Sequence, residues 1–266
     1  GFSYWRYPAG GQDEEETTYV PDDNFEQALI DLGYDDVLDD YVVTDSISGV
    51  TSLDVGEKEI SDLTGIEAFT ALTELWCDSN QLTALDVSAN TALTELKCYD
   101  NSLTALDVSN NTLLTYLHAG TNQLTDLDVS QNTELTTLWV GFNSLNSLDV
   151  SANTALIDLR VPGNQLISMD VSTNIALEHL DFWVNQLTTL DVNANTALIK
   201  LKASSNAIIA LDVSANTALT ELLCNNNQLT YLNMRNGVTD SLTTFNATNN
   251  PDLTCIETLD PDYATE

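Results

Sequence analysis

The sequence predicts an α/β solenoid of about ten coils, with a parallel sheet on the concave face and a helical cap at the N-terminus. Two kinds of residue recur every 21 positions, and a unit of that length has too few apolar side chains to bury them alone. The recurring leucines are Leu72, Leu93, Leu114, Leu135, Leu156, Leu177, Leu198 and Leu219. The recurring asparagines are Asn80, Asn101, Asn122, Asn143, Asn164, Asn185, Asn206 and Asn227.

A single unit, residues 72–92, shows how each coil is built. Apolar residues that point inward alternate with Glu74, Trp76 and Asp78, which should point outward from a short strand. Stacked coils would then bury ladders of leucine and place their strands in one parallel sheet. Asn80 follows the strand, where its amide can satisfy backbone groups of a turn, so we interpret the asparagine ladder as structural.

A second polar ladder lies in the other half of the units, and its members are Asp86, Asp107, Asp128, Asp149, Asp170, Asp191 and Asp212. Carboxylates about 5 Å apart in water repel one another by roughly 0.8 kcal/mol, and an additional interaction should offset this repulsion. Hydrogen bonding of each aspartate to the following backbone is the simpler explanation. Calcium is the alternative, although the ligands are not clustered as calcium loops require.

We divide the chain into four segments. Residues 1–18 are an extension that is either a linker, a tag-like remnant or a short docking peptide, and the chain starts at Gly1, as expected of a processed or trimmed product. Residues 19–49 form the N-terminal helical cap, 50–250 the solenoid and 251–266 the C-terminal edge. In the cap, "DNFEQALIDLG" predicts a helix with Asp23 as N-cap, Glu26 at position N3 and Gly33 as the stop.

The repeated phrase "LTELWCDSNQLTALDVSANTA" resembles the repeat of leucine-rich repeat proteins. The phrase "TGIEAFTAL" in the first coil resembles internalin-like proteins, and the layout from "YVPDDNFEQALIDLGYDD" onward resembles secreted surface proteins of Bacteroidetes-type bacteria. This resemblance implies export to the cell surface or the medium and a role in binding or adhesion. It does not identify the ligand.

The formal charge of −34 excludes several classes of partner. Nucleic acid and anionic lipid both require clustered lysine and arginine, and the chain contains only seven of these residues. No run of about 20 apolar residues is present, so we expect no membrane insertion. Cys77, Cys98 and Cys224 share one inward ladder position and should be free thiols, while the state of Cys255 stays open.

Catalytic motifs are missing from the sequence. It has no G-x-S-x-G, H-E-x-x-H, P-loop or G-x-G-x-x-G pattern, and the two histidines fall in coils three units apart. We therefore expect a protein that is not an enzyme and that needs no cofactor, with calcium bound along the aspartate ladder as the alternative.

Aromatic and basic residues are concentrated at the outward positions of the predicted strands. These positions form three columns, and the third column contains Gly120, Gly141 and Pro162, which predict a shallow groove. Exposed tryptophan, tyrosine and arginine are typical of binding hot spots. The candidate ligand-binding residues are Trp76, Lys97, Tyr99, Tyr116, His118, Trp139, Phe142, Arg160, His179, Trp183, Lys200 and Lys202.

Two kinds of ligand fit this predicted surface. We favour a protein partner outside the cell, anchored on the tryptophans, because the family mostly binds proteins. The alternative is a polysaccharide that stacks on the aromatic rings, and an ice-binding or purely structural role is a more distant third. We expect a monomer, and the ligand, the calcium content and the role of residues 1–18 stay undetermined.

Overall fold

A computed structural model describes residues 15–259, so the predictions for residues 1–14 and 260–266 lie outside this part of the chain. The chain begins with strand β1 (Thr17–Tyr19), which pairs antiparallel with strand β2 (Tyr41–Val43). Helices α1 (Asp23–Asp31) and α2 (Thr44–Ile47) complete this N-terminal unit. Strand β1 crosses the limit predicted between the extension and the cap at residue 18.

The N-cap of helix α1 is Asp22, so the prediction of Asp23 is wrong by one residue. The Asp22 carboxylate accepts hydrogen bonds from the backbone N–H groups of Asn24 and Phe25, both at 3.0 Å. Its second oxygen accepts from the N–H of Ser61 at 2.8 Å, so the same side chain joins the cap to the first coil. Glu26 is fully buried and accepts from the backbone N–H groups of Asp39 and Tyr41, so it takes no part in a capping box.

The principal sheet has ten parallel strands, one for each coil, and this confirms the predicted solenoid. Its strands are β3 (Ser52–Asp54), β4 (Glu74–Trp76), β5 (Glu95–Lys97), β6 (Tyr116–His118), β7 (Thr137–Trp139), β8 (Asp158–Arg160), β9 (His179–Asp181), β10 (Lys200–Lys202), β12 (Glu221–Leu223) and β14 (Thr244–Asn246). A short 3₁₀ turn, Ile66–Ala68, lies in the first coil. From β4 to β12 the partners are 21 residues apart, as in the pair Leu75 and Leu96.

A second parallel sheet, with three strands, forms in the last coils. Its strands are β11 (Ala210–Asp212), β13 (Tyr231–Met234) and β15 (Ile256–Thr258). A 3₁₀ turn, Thr239–Ser241, precedes β14.

The core between the two sides of the coils consists of the predicted ladders of leucine and valine, which are almost completely buried. Cys77, Cys98 and Cys224 are buried free thiols within these ladders, as predicted, and burial raises the pKa of Cys98 to about 12. Cys255 is also free and is exposed. In the part of the chain described, no helix has both the length and the apolar character needed to span a membrane.

The predicted asparagine ladder holds consecutive coils together. At Asn164 the side-chain oxygen accepts from Leu145 N–H of the preceding coil at 3.0 Å, and its amide nitrogen donates to Val140 O at 3.0 Å. The other members of the ladder repeat this oxygen contact, as in Asn143 with the N–H of Leu124. Because each amide satisfies backbone groups on two coils, the structural interpretation of this ladder is confirmed.

A second asparagine ladder, missed in the sequence, lies in the other half of the coils and is completely buried. Its members are Asn90, Asn111, Asn132, Asn153, Asn174, Asn195 and Asn216. Each amide nitrogen donates to two backbone carbonyls, as Asn153 does to Val129 O at 2.9 Å and to Asn132 O at 2.8 Å. All seven side-chain oxygens are buried and have no hydrogen-bond partner.

The aspartate ladder forms local turns. Asp128 accepts a hydrogen bond from the backbone N–H of Ser130 at 2.8 Å, and the corresponding contact recurs at the other aspartates. This confirms the hydrogen-bonded turn. Among residues 15–259, no three His, Cys, Asp or Glu side chains are grouped closely enough to hold a metal ion.

Candidate binding surface

The twelve candidate residues lie on one surface, which we call the sheet face. It consists of the outward residues of strands β3–β10 and of the turns that follow these strands. The central residue of each strand is buried. The residues on either side of it point away from the core, and nearly all of them are half-buried. Trp76 and Trp139 therefore stand on the surface, and Trp183 in the turn after β9 is 44% exposed.

Trp76, Glu95 and Lys97 form a compact group on β4 and β5. The indole N–H of Trp76 donates to Glu95 Oε1 at 2.9 Å. Lys97 Nζ lies 2.7 Å from the same carboxylate oxygen and 4.1 Å from the centre of the Trp76 ring. The carboxylate thus orients both the ring and the cation, and the ammonium group covers part of the indole.

Trp139, Asp158 and Arg160 form a matching group on β7 and β8. The indole N–H of Trp139 donates to Asp158 Oδ1 at 3.0 Å. Arg160 donates to both oxygens of Asp158, through Nε at 2.9 Å and Nη2 at 2.7 Å, and its guanidinium lies 4.2 Å from the Trp139 ring centre. A bidentate pair of this kind fixes the plane of the guanidinium.

Aromatic rings fill the surface between these two groups. Tyr99 stacks on His118 with ring centres 4.2 Å apart, and His118 meets Trp139 edge-on at 5.1 Å. Tyr116 contacts Trp139 from the side at 5.5 Å. Burial lowers the pKa of His118 to about 4, so the imidazole is neutral at physiological pH and behaves as part of the aromatic surface.

A cavity of about 630 Å³ opens over this aromatic surface at its N-terminal side. Six of its lining residues are candidates named in the sequence: Trp76, Lys97, Tyr99, Tyr116, His118 and Trp139. The others were missed: Asp54, Gly56, Glu57, Lys58 and Asp78. Four of these five come from the irregular first coil, whose strand is offset by 22 residues from the next, as the pair Ser52 and Glu74 shows. The Asp78 carboxylate raises the pKa of the neighbouring Tyr99 to about 12.

The groove predicted at Gly120, Gly141 and Pro162 is closed at its centre. A Cβ atom added to Gly141 would lie 2.7 Å from the Pro162 ring, so the glycine makes room for proline and leaves no open space. Phe142 lies over the following coil and meets Trp183 edge-on, with ring centres 6.1 Å apart. The open space lies nearer the N-terminus than the sequence predicts.

A smaller cavity of about 160 Å³ lies at the other end of the sheet face. It is lined by Arg160, His179, Leu180, Asp181, Lys200 and Lys202. Lys202 Nζ is 3.6 Å from a Glu221 oxygen, and His179 Nδ1 is 3.2 Å from an oxygen of Asp158. Burial raises the pKa of Asp181. This end of the surface thus combines three permanent cations with partly neutralising carboxylates.

The distribution of positive charge separates the sheet face from the rest of the molecule. Six lysine and arginine residues fall within the part of the chain described, in a protein with a formal charge of −34. Five of them lie on the sheet face or line its cavities, namely Lys58, Lys97, Arg160, Lys200 and Lys202. The sixth, Arg235, pairs with Glu257 at 3.2 Å beside the second sheet.

The low pKa of His118 predicts an effect of pH on stability. Between its ordinary pKa of 6.5 and about 4, the unfolded chain binds a proton at this residue that the folded chain does not. Acidification from pH 7 to 5 therefore removes stability, by about 2 kcal/mol for full burial and about 1 kcal/mol for a partly exposed ring. In urea unfolding, the free energy of unfolding of wild type should fall by about 1 kcal/mol more between pH 7 and pH 5 than that of His118→Asn. Equal changes in the two proteins would contradict the assignment.

The stacked coils, the parallel sheet and the asparagine ladders identify the chain as a leucine-rich repeat protein. Internalin J of Listeria monocytogenes is 40% identical over 78 residues, which are 29% of this chain and 8% of internalin J. The structure of the functional domain of InlJ, described as including a cysteine ladder, is 34% identical with a TM-score of 0.57. The comparison covers 94% of this chain and 65% of that one. The chain thus spans less than two thirds of the length of either relative.

More distant structures share the fold. The internalin InlF of L. monocytogenes is 22% identical, with a TM-score of 0.67 over 90% of this chain and 82% of that one. The ectodomain of the Arabidopsis thaliana receptor kinase GASSHO1/SCHENGEN3, solved in complex with Casparian strip integrity factor 2, is 23% identical. Its TM-score is 0.69, over 78% of this chain and 28% of that one. No protein-family model matches the sequence.

Proposed function

We propose that the chain is an extracellular binding module, without catalytic activity, that recognises a protein partner through its sheet face. The observation that carries this proposal is the concentration of aromatic and basic side chains there, in a chain whose surface is otherwise strongly acidic. Tryptophan, tyrosine and arginine are the residues that dominate the energetics of protein interfaces. The core and the backbone hydrogen bonds do not require these residue types at outward positions.

The arrangement of the tryptophans favours a protein over a polysaccharide. Sugars stack on free faces of aromatic rings, whereas Lys97 covers Trp76 and Arg160 covers Trp139 within the molecule itself. Rigid rings whose cations are already oriented by Glu95 and Asp158 lose little side-chain entropy when a partner docks. Among the structural relatives, the ectodomain of GASSHO1/SCHENGEN3 was solved with a bound factor, which agrees with a role in binding.

Substitutions on the sheet face test the proposal. The double variant Trp139→Ala and Arg160→Ala should bind a protein partner at least 2 kcal/mol less tightly than wild type, which raises Kd about 30-fold. The reason is that the variant lacks both side chains that anchor the partner on strands β7 and β8. Candidate ectodomain proteins would be arrayed, with neutral and acidic glycans on the same array, and affinities measured by biolayer interferometry.

The matched control is the double variant Leu113→Ala and Arg235→Ala, which removes an exposed apolar residue and an arginine away from the sheet face. It should keep wild-type affinity. Equal binding by the sheet-face variant, with its circular dichroism unchanged, would reject this surface. Capture of glycans alone would replace the protein partner by a polysaccharide.

A further inference from the structure

The two tryptophan groups on the sheet face are copies of one arrangement. In each group a tryptophan donates its indole N–H to a carboxylate on the next strand, at 2.9 Å and 3.0 Å. In each group the cation two residues after that carboxylate pairs with it at 2.7 Å and covers the indole at 4.1 Å or 4.2 Å. We call these groups triad 1 (Trp76, Glu95, Lys97) and triad 2 (Trp139, Asp158, Arg160).

Triad 2 is offset from triad 1 by three coils. Strands β4, β5, β6 and β7 pair in register, so that Trp76, Lys97, His118 and Trp139 occupy equivalent positions on consecutive strands. Three steps of about 4.8 Å place equivalent atoms of the two triads about 14 Å apart. An extended polypeptide advances about 3.4 Å per residue and points every second side chain to the same side, so residues i and i+4 are also about 14 Å apart on one side.

The chemistry of the triads restricts the group that each can bind. In triad 2, two N–H groups of Arg160 are occupied by Asp158 and three are free for a ligand. In triad 1, Lys97 has a single carboxylate partner, Glu95, and keeps further N–H donors. Each triad is neutral as a whole, and the molecule carries a formal charge of −34, which repels acidic ligands. An uncharged hydrogen-bond acceptor that reaches the free N–H donors of the cations covering the indoles, such as the side chain of Asn or Gln, fits this set.

We infer that the two triads are equivalent subsites for one extended segment of the partner protein, which crosses the strands and presents amide side chains at positions i and i+4. This inference rests on the proposed function, because it assigns the kind of protein segment that the sheet face recognises. The aromatic rings of Tyr116 and His118 lie between the triads, beneath the residues at positions i+1 to i+3.

A peptide library displayed on phage tests the inference. Random dodecapeptides would be selected on the wild-type chain and depleted on the double variant Lys97→Met and Arg160→Met, in which the apolar stems remain on the tryptophans. We expect enrichment of peptides with Asn or Gln at positions i and i+4. A selected peptide, synthesised and measured by fluorescence anisotropy, should bind each single variant about 10-fold more weakly and the double variant about 100-fold more weakly, since distant sites add.

Arg235→Met, beside the second sheet, is the control and should keep wild-type affinity. Shifting one amide of the peptide to position i+3 should weaken binding to wild type about 10-fold and make it insensitive to one of the two Met substitutions. Peptides that bind the sheet face but respond to only one triad, or that carry no paired amides, overturn the inference and leave the proposed function standing. If no peptide is enriched, the inference also falls, while the array of ectodomains and glycans decides the proposed function separately.

Discussion

Replacing Asn153 by aspartate is expected to destabilise the protein by about 4 kcal/mol at pH 7, although the two side chains have nearly the same shape. Asn153 is fully buried, and its amide nitrogen donates to the carbonyls of Val129 and Asn132 on earlier coils. An ionised carboxylate would face these two carbonyl oxygens with no donor, and its buried charge would lack any partner.

The side-chain oxygen of Asn153 already lacks a hydrogen-bond partner, so the aspartate gains no contact that could offset this cost. The variant carboxyl should keep its proton in the folded state, which raises its pKa above the unfolded value of about 3.9. A carboxyl with a raised folded pKa destabilises the protein more as pH rises through the range between the two values. The loss should therefore be largest at neutral pH and shrink as pH falls towards 4.

Urea unfolding of Asn153→Asp and of Asn146→Asp at pH 7 and pH 5 measures this effect. Asn146 is the matched control because the same substitution there falls on an exposed side chain in a neighbouring position of the coil. The control reports the added surface charge alone and should cost less than about 0.5 kcal/mol. Equal stability of the two variants at pH 7 would show that the Asn153 site is accessible to water.

The asparagine ladders illustrate what the sequence predicts about the fold. The ladder at Asn164 follows directly after each strand, where a turn must be satisfied, and its role could be predicted from that position. The ladder at Asn153 has the same 21-residue spacing, as from Asn132 to Asn153, yet its burial was not predicted. The outer half of the unit has several polar positions in a row. Only the stacking of coils, which brings carbonyls of earlier coils into reach, shows which of them points inward.

The sequence predicted which residues form the candidate site but not how they pair, because the pairing again depends on contacts between coils. Alternation along the strands places Trp76, Trp139 and Arg160 on one surface, and this required only a period of two. The pairing of each tryptophan with a carboxylate 19 residues later depends on the register of neighbouring strands. A search for tryptophan and a cation in the same column on consecutive coils would have found both triads.

Two features of the site could not be reached from the repeat alone. The cavity at the N-terminal side depends on Asp54 and Glu57, which belong to the irregular first coil and therefore fall outside the columns. The closed groove at Gly141 depends on the ring of Pro162 in the next coil, which occupies the space that the missing side chain leaves. A small residue predicts open space only when the residues stacked on it are also small.

The N-terminal cap leads to the second large effect, because replacing Phe25 by alanine should cost about 4 kcal/mol. Phe25 is fully buried, and its ring centre lies 6.4 Å from that of Phe69 in the first coil. The cap is attached to the same coil by polar contacts, including the hydrogen bond from the Asn24 side chain to Glu59 O at 3.0 Å. Removing the ring leaves a cavity at the junction of cap and solenoid.

The location of the damage should follow from the repeat architecture. Each coil contacts only its neighbours, so the loss of the cap should expose the first coil while the distant coils keep their stacking. In hydrogen exchange, Phe25→Ala should accelerate the amides of residues 20–60 and leave those near strand β12 almost unchanged. Phe142→Ala is the matched control, since that ring is 52% exposed and its removal should cost less than about 1 kcal/mol. Acceleration that spreads equally to the last coils would instead mean that cap and solenoid unfold as one cooperative unit, and that stability here is not a sum over neighbouring coils.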